Sequence, residues 1–275
     1  MIRDITLGQY YPAKSIIHQL DPRVKLVTTM VYIVSLFVAK GISGYLIATL
    51  FLAMVVKMSK VPFGYITKGL KAIIMILLIT VVFNLFLVDG DIVLWRFGFL
   101  RITDKGVRTA VFMAIRLIYL IIGSSIMTLT TTPNDLTDGL EKLLGPLKKI
   151  HVPVHEIAMM MSIALRFIPI LLEETDKIMK AQIARGADFE TGNLIQKARA
   201  MVPLLVPLFI SAFRRANDLA MAMEARCYHG GDGRTKMKPL HYESRDKTAY
   251  AVVWGYLLLV IAANYVGGLY AIQLL

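Results

Sequence analysis

Two similar segments organise the chain: Ala181-Gln182-Ile183-Ala184-Arg185-Gly186 and Ala222-Met223-Glu224-Ala225-Arg226-Cys227. Both contain the pattern A-x-x-A-R, and each closes a long run whose apolar residues recur with the period of a helix. The two arginines are 41 residues apart, which leaves room for each of them to end a helix of its own. The repetition predicts two similar helix ends that present an arginine to two similar surfaces.

An arginine near a helix C-terminus also has a purely structural explanation, because it complements the helix dipole and binds free carbonyl groups. Two copies, each preceded by alanine and followed by a turn, favour docking instead. Small residues around an exposed guanidinium let another surface close over the helix end, and its fork can bind carboxylates or carbonyls bidentately. The predicted docking residues are Ala184, Arg185, Gly186, Ala225, Arg226 and Cys227.

The composition is that of a membrane protein. Of the 275 residues, 56% are hydrophobic, and the mean hydropathy is +0.61, whereas soluble domains are about 45–50% apolar. The net charge of +12 comes from basic residues that flank apolar runs, which is the positive-inside pattern and does not favour nucleic-acid binding. A single cysteine, Cys227, excludes an internal disulfide and a thiol metal cluster.

The hydropathy pattern predicts an all-α, polytopic membrane protein with about five transmembrane helices. Residues 1–129 form an N-terminal membrane part with four spans, at about 24–39, 45–56, 72–88 and 107–129. Asp21 and Pro22 are predicted to start the first helix, residues 41–44 to form a turn, and residues 57–71 to form a basic cytoplasmic loop. Residues 130–247 are a cytoplasmic region of long helices, and residues 248–275 form the last transmembrane helix.

The cytoplasmic region contains two long helices, at about 154–185 and 194–227. Pro169 bends the first, and Pro203 and Pro207 bend the second. In the second helix, apolar residues alternate at spacings of three and four, which predicts a helix–helix seam, and three alanines allow close approach of a second backbone. We expect the two helices to cross on this seam, whose members are Leu205, Phe209, Ala212, Ala216 and Ala220, flanked by Val202, Leu219 and Met223.

The remaining polar residues indicate neither catalysis nor a cofactor. Arg116 lies within the fourth span, where a charge costs roughly 2.5–3.5 kcal/mol; either it reaches the headgroups or it faces the protein interior or a partner. His151 and His155 are four residues apart, but Pro153 lies between them and no third ligand is near, so no metal site is predicted. No Walker A motif and no catalytic constellation are apparent.

Five motifs resemble the transmembrane T component of energy-coupling factor (ECF) transporters, the EcfT family of prokaryotic uptake systems. The resemblance spans nearly the whole chain, and the motifs are specific only in combination. They are His18-Gln19-Leu20-Asp21-Pro22-Arg23-Val24-Lys25-Leu26, Leu165-Arg166-Phe167-Ile168-Pro169, Ala184-Arg185-Gly186, Arg214-Arg215-Ala216 and Ala222-Met223-Glu224-Ala225-Arg226.

The resemblance implies a non-catalytic scaffold in the prokaryotic plasma membrane, with its N-terminus and long helices in the cytoplasm. T components join two ATP-binding cassette (ABC) ATPases to a substrate-binding membrane subunit, the S component, for vitamin or micronutrient uptake. Two crossing coupling helices each end in an Ala-Arg-Gly-type motif that docks into one ATPase, so Arg185 and Arg226 would each anchor one. The family usually has glycine where this chain has Cys227, which puts a left-handed helix end there in question.

Alternative functions remain open at this stage. A general-purpose T component is favoured over one dedicated to a single substrate, such as cobalt, nickel or biotin, because family members of this length often serve several S components. An independent secondary transporter would show paired inverted repeats and several intramembrane charges. A membrane-embedded enzyme would show a cluster of catalytic residues.

Overall fold

The computed structural model of the chain describes residues 10–39, 41–88, 93–97, 100–189, 193–231, 237 and 239–273. Within these residues it contains eight α-helices, one antiparallel hairpin and a short 3₁₀ helix at Gly145–Ile150. The all-α prediction is therefore confirmed. The elements are α1 (Pro22–Val38), α2 (Gly41–Ser59), α3 (Phe63–Leu87), β1 (Val93–Phe97), β2 (Leu100–Thr103), α4 (Asp104–Thr130), α5 (Pro133–Leu143), α6 (Val154–Ala184), α7 (Leu194–Ala225) and α8 (Ser244–Gln273).

Five helices in the described part of the chain are long and apolar enough to cross a membrane, namely α2, α4, α6, α7 and α8. Helix α3 becomes a sixth if its two parts, which meet at a bend of 59°, are counted as one span. The multi-pass prediction is confirmed. Helices α6 and α7 pass the same test of length and hydropathy as the others, so their cytoplasmic placement stays a prediction.

Two predicted loops are wrong. Residues 41–44 do not form a turn, because α2 already begins at Gly41, whose φ of +72° marks the change of chain direction. Residues 57–71 do not form a loop, because α2 extends to Ser59 and α3 begins at Phe63; the 59° bend of α3 lies at residue 72, the predicted start of the third span. Proline at position 62 sets the entry to that helix, and lysine is a good helix former, so the basic residues after it continue the helix instead of forming a loop.

The chain divides into two compact units, residues 8–139 with 240–275, and residues 140–239. The core of the first unit is an aromatic cluster from three helices. The rings of Phe51 and Tyr256 stack with centroids 4.1 Å apart, and Tyr32 lies 6.0 Å from Phe51. The Tyr32 hydroxyl donates to the carbonyl of Tyr119 at 3.2 Å, and the Ser35 hydroxyl lies 2.8 Å from that of Tyr256. The aromatic rings thus join α1, α2 and α8, and the hydrogen bond to the Tyr119 carbonyl adds α4.

A polar hub holds the start of α1 against the start of α8 in the same unit. The Asp21 carboxylate accepts from the backbone N–H of Arg23 at 2.8 Å, which confirms the predicted helix cap. The Asp246 carboxylate accepts from the backbone N–H groups of Asp21, at 3.0 Å, and Glu243, at 2.8 Å. Because Asp246 is only 2% exposed, these two donors share a buried acceptor.

The hub extends to the end of α4 through Lys25. This lysine is 6% exposed, and its ammonium group donates to the carbonyls of His18 at 3.0 Å and Thr130 at 2.8 Å. A buried cation needs such partners, because an unpaired one carries a large desolvation cost. The hub therefore explains why aspartate, arginine and lysine stand close together in the sequence 21–25.

We expect Asp246→Ala to destabilise the protein by about 2–4 kcal/mol, because it leaves two buried N–H groups without an acceptor and removes a negative charge near Lys25. Thermal unfolding of the purified protein in detergent measures the change. The matched control is Glu243→Ala, whose side chain is 57% exposed and pairs with Arg245 at the surface, a pair worth less than about 1 kcal/mol. Equal melting temperatures for Asp246→Ala and the wild type would contradict the role of the hub.

Candidate docking and coupling site

The first predicted docking motif lies at the end of α6. Arg185 is the last residue before the chain turns, and Gly186 follows it with a φ of +86°. The backbone N–H of Gly186 donates to the carbonyl of Ile183 at 2.9 Å, and that of Ala187 donates to the carbonyl of Gln182 at 2.9 Å. These two bonds define a Schellman motif, in which backbone groups bind the last helix carbonyls. The arginine side chain is not needed for that purpose.

The second motif, at the end of α7, closes in the same way. Arg226 occupies the equivalent position, and Cys227 adopts a left-handed φ of +52°. The N–H of Cys227 donates to the carbonyl of Glu224 at 2.8 Å, and that of Tyr228 donates to the carbonyl of Met223 at 3.0 Å. The left-handed end therefore forms without glycine, although this conformation costs roughly 1–2 kcal/mol for a residue with a Cβ.

Both motifs face solvent in this chain. All six predicted docking residues are exposed. Among the residues that the structure describes, neither the Arg185 nor the Arg226 guanidinium takes part in a hydrogen bond or an ion pair. Each helix end thus presents an unpaired cation surrounded by small residues, which is the chemistry needed to bind carboxylate or carbonyl groups.

A polar contact fixes the crossing of α6 and α7. The Ser211 hydroxyl of α7 donates to one oxygen of Glu174 at 2.5 Å, and Arg215 of α7 donates to the other at 2.8 Å. Glu174 precedes Arg185 by eleven residues, and Arg215 precedes Arg226 by eleven residues. At 1.5 Å per residue, the contact lies about 16 Å along each helix from its terminal arginine. The contact is therefore equally far from the two arginines along their helices.

A second contact joins the end of α6 to the proline-containing part of α7. Proline at position 207 has no N–H, so the carbonyl of Pro203, one turn earlier, lacks its helical donor. The amide of Gln182 donates to that carbonyl at 3.5 Å, a long hydrogen bond by ordinary criteria. Since Gln182 also belongs to the Schellman motif of α6, the proline bend of one helix contacts the docking end of the other.

The predicted seam does not lie where the two helices meet. Leu205 and Phe209 are 52% and 65% exposed, Ala216 and Ala220 are exposed, and only Ala212 is half-buried. The least exposed face of α7 is shifted from the predicted seam by one residue toward the N-terminus, or about 100° around the helix. It comprises Leu204, Leu208, Ser211, Arg215 and Leu219. The prediction used apolar and small residues alone, whereas the observed contact uses Glu174, Ser211 and Arg215.

Arg116 is bound inside the first unit. Its Nε donates to the Tyr45 hydroxyl at 3.0 Å, and its guanidinium lies 5.4 Å from the centre of the Phe37 ring. The side chain is half-buried. This geometry favours the alternative in which the charge lies among side chains of the protein.

His155 makes a structural contact in the second unit. Its Nδ1 lies 2.9 Å from Oε1 of Glu141, and a Cβ added at Gly231 would overlap its ring. The histidine thus connects the start of α6 to α5 and to the loop after α7. Within the described ranges, no group of three or more His, Cys, Asp or Glu side chains is arranged to hold a metal ion.

We expect Cys227→Gly to raise the free energy of unfolding by about 1 kcal/mol, because glycine adopts the left-handed conformation without a steric cost but loses more entropy on folding. Cys227→Ala is the matched control, since it removes the thiol and keeps the Cβ. Thermal unfolding should show stabilisation for glycine alone. If alanine stabilises as much as glycine, the effect comes from the thiol and not from the backbone.

Comparison with known proteins places the chain in a family. The family model "CbiQ: Cobalt transport protein" matches residues 13–237. A protein of Clostridium kluyveri is 60% identical over 90% of this chain and 92% of its own length, and one of Ruminiclostridium cellulolyticum is 52% identical over 97% and 99%. A Bacillus subtilis protein is 46% identical over 96% and 97%. All three are named energy-coupling factor transporter transmembrane protein EcfT. The chain therefore belongs to the CbiQ/EcfT family of membrane transport components.

Proposed function

We propose that this chain links two cytosolic ABC ATPases to a substrate-binding S component and transmits ATP-driven motion for vitamin or micronutrient uptake. The observation that carries this proposal is the pair of identical helix closures at Arg185 and Arg226. Each satisfies its carbonyls through the backbone and leaves an exposed guanidinium that has no partner among the described residues. Two equal helix ends are suited to two similar ATPase surfaces.

The docking role follows from the local geometry. Alanine before each arginine keeps the helix end narrow, and the turn after it removes the chain from the contact surface. An arginine fork binds carboxylates and carbonyls at a fixed angle, so it sets orientation as well as affinity. In this account the chain binds no ATP itself, and both docking ends lie in the cytoplasm.

The coupling role follows from the crossing at Glu174, Ser211 and Arg215. When the ATPases close on ATP, they move the two docking ends toward each other. Because the helices are joined at Glu174 and again near the end of α6, through Gln182 and Pro203, we expect that motion to be transmitted along the contact between them. The exposed apolar face of α7, which includes Leu205 and Phe209, then acts on the S component and releases its substrate inward.

A T component dedicated to one substrate is the second candidate. The matched family model is described as a cobalt transport protein, and this description favours a metal ion as one possible cargo. The printed names of the three relatives mention no substrate. The number of different S components that bind the chain in its own membranes distinguishes the two candidates.

We expect Arg185→Glu with Arg226→Glu to lower the amount of ATPase that co-purifies with the tagged chain by tenfold or more. Each arginine makes charge-assisted hydrogen bonds worth about 1.5–3 kcal/mol, and reversal adds repulsion. Each single variant should lose mainly one of the two ATPases. The control is Arg214→Glu, an exposed residue that lies about 18 Å along α7 from Arg226.

The docking proposal fails if both ATPases remain with the double variant and uptake persists. It also fails if Arg214→Glu releases the ATPases as effectively, because that result would indicate a general effect of charge.

We expect Glu174→Gln to reduce substrate uptake about tenfold while both ATPases stay bound, because the variant weakens the crossing and leaves the docking ends intact. Uptake into vesicles and co-purification measure the two effects separately. Glu173→Gln, at an exposed neighbouring position, should leave uptake unchanged. The exchange Glu174→Arg with Arg215→Glu should recover part of the activity; no recovery, together with normal uptake by Glu174→Gln, would refute the coupling role of the crossing.

A further inference from the structure

A cavity of about 400 Å³ lies in the first unit, among the end of α1, the start of α2 and the first turns of α4. It is separate from the docking motifs and from the crossing of α6 and α7, which belong to the second unit. Its lining combines two arginines with aromatic and small residues. The lining residues are Ala39, Gly41, Tyr45, Arg108, Thr109, Phe112, Met113 and Arg116.

The cavity has a strong excess of positive charge. Arg108 is exposed at its edge and Arg116 is half-buried within it, and no acidic side chain is among the lining residues. In the described part of the chain, neither guanidinium forms an ion pair. Two cations in one cavity repel each other, and a low-dielectric surrounding strengthens that repulsion. An anion placed between them would remove it.

The hydrogen-bond donors of the cavity suit an oxyanion. Arg116 uses its Nε for Tyr45 at 3.0 Å, which leaves its two terminal amino groups; one of them lies 4.0 Å from the Met113 sulfur, a weak contact. Tyr45 accepts from Arg116, so its own O–H is available to donate. Thr109 adds another hydroxyl to the lining. A phosphate group has more acceptor oxygens than a single carboxylate and can therefore use more of these donors.

The walls of the cavity favour a lipid over a soluble ion. The rings of Tyr45 and Phe112 stack with centroids 5.1 Å apart and form an apolar side. Next to the lining residues on α2 and α4, exposed apolar side chains are available for acyl chains, with Ile42, Leu46 and Val111 exposed by 72%, 57% and 51%. Basic pockets between membrane helices are known to bind acidic lipid headgroups.

We infer that this cavity binds the phosphate of an anionic phospholipid of the phosphatidylglycerol type, through Arg108, Arg116 and the Tyr45 hydroxyl. The headgroup carries no cation, so nothing opposes the two arginines. A zwitterionic headgroup would bring a positive amine close to Arg108. The bound lipid neutralises the two charges and holds α4 against the α1–α2 junction.

Native mass spectrometry of the full-length protein tests this inference. The protein is incubated in detergent with equal amounts of phosphatidylglycerol and phosphatidylcholine, and the retained lipids are counted. We expect phosphatidylglycerol to be retained about tenfold more than phosphatidylcholine, a ratio that corresponds to one set of charge-assisted hydrogen bonds. Arg108→Gln with Arg116→Gln should bring the ratio close to one.

Lys105→Gln is the matched control, because it removes one positive charge from the exposed surface of α4 without touching the cavity lining. Arg108→Gln alone, at the exposed edge, serves if the double variant does not fold, and it should lower the ratio several-fold. Equal retention of both lipids by the wild type, or a Lys105→Gln effect as large as that of Arg108→Gln, would overturn the site. Competition by inorganic phosphate at equal concentration would show that the ligand is a free anion and not a lipid.

Discussion

Backbone hydrogen bonds at the ends of α6 and α7 are the constraint on which the proposed function depends. In each Schellman motif two N–H groups bind the last carbonyls of the helix. The side chains of Arg185 and Arg226 are therefore not needed to cap their own helices. An arginine that capped its own helix would have to give up those contacts before it could bind another protein. Here the guanidinium groups are exposed and unpaired in the described structure, so docking has no such competing interaction.

The contact among Glu174, Ser211 and Arg215 connects the two helices that carry the proposed docking ends. It lies eleven residues from each terminal arginine, and in the proposed mechanism it receives the displacement of both ends. Prolines within α7 add to this arrangement, because the carbonyl freed by Pro207 is bound by Gln182 of α6. The first unit is held by its own polar hub, around Asp21, Lys25 and Asp246. The two units thus rest on different sets of polar contacts.

Sequence patterns predicted the helices, their caps and the two arginine ends, because these depend on local periodicity and on residue types with strong positional preferences. They did not predict which residues join α6 to α7. A seam read from apolar spacing places Phe209 and Ala216 inside, yet these residues are exposed, since the contact is made by a carboxylate with a hydroxyl and an arginine. A sequence feature that could have indicated this contact is the position of Glu174 and Arg215, each of which precedes a motif arginine by eleven residues. The left-handed conformation of Cys227 could not be predicted from the residue type. Cysteine disfavours this conformation, and the hydrogen bonds that close the helix end outweigh that preference.

The measurement that tests the central claim most directly is the composition of the complex isolated from native membranes. The tagged wild-type chain is purified in mild detergent, and its partners are identified and counted by mass spectrometry. The account predicts two ABC ATPase subunits per chain together with one or more small membrane proteins. Recovery of the chain alone, or with a single ATPase subunit, would contradict the claim that its two helix ends are two docking sites.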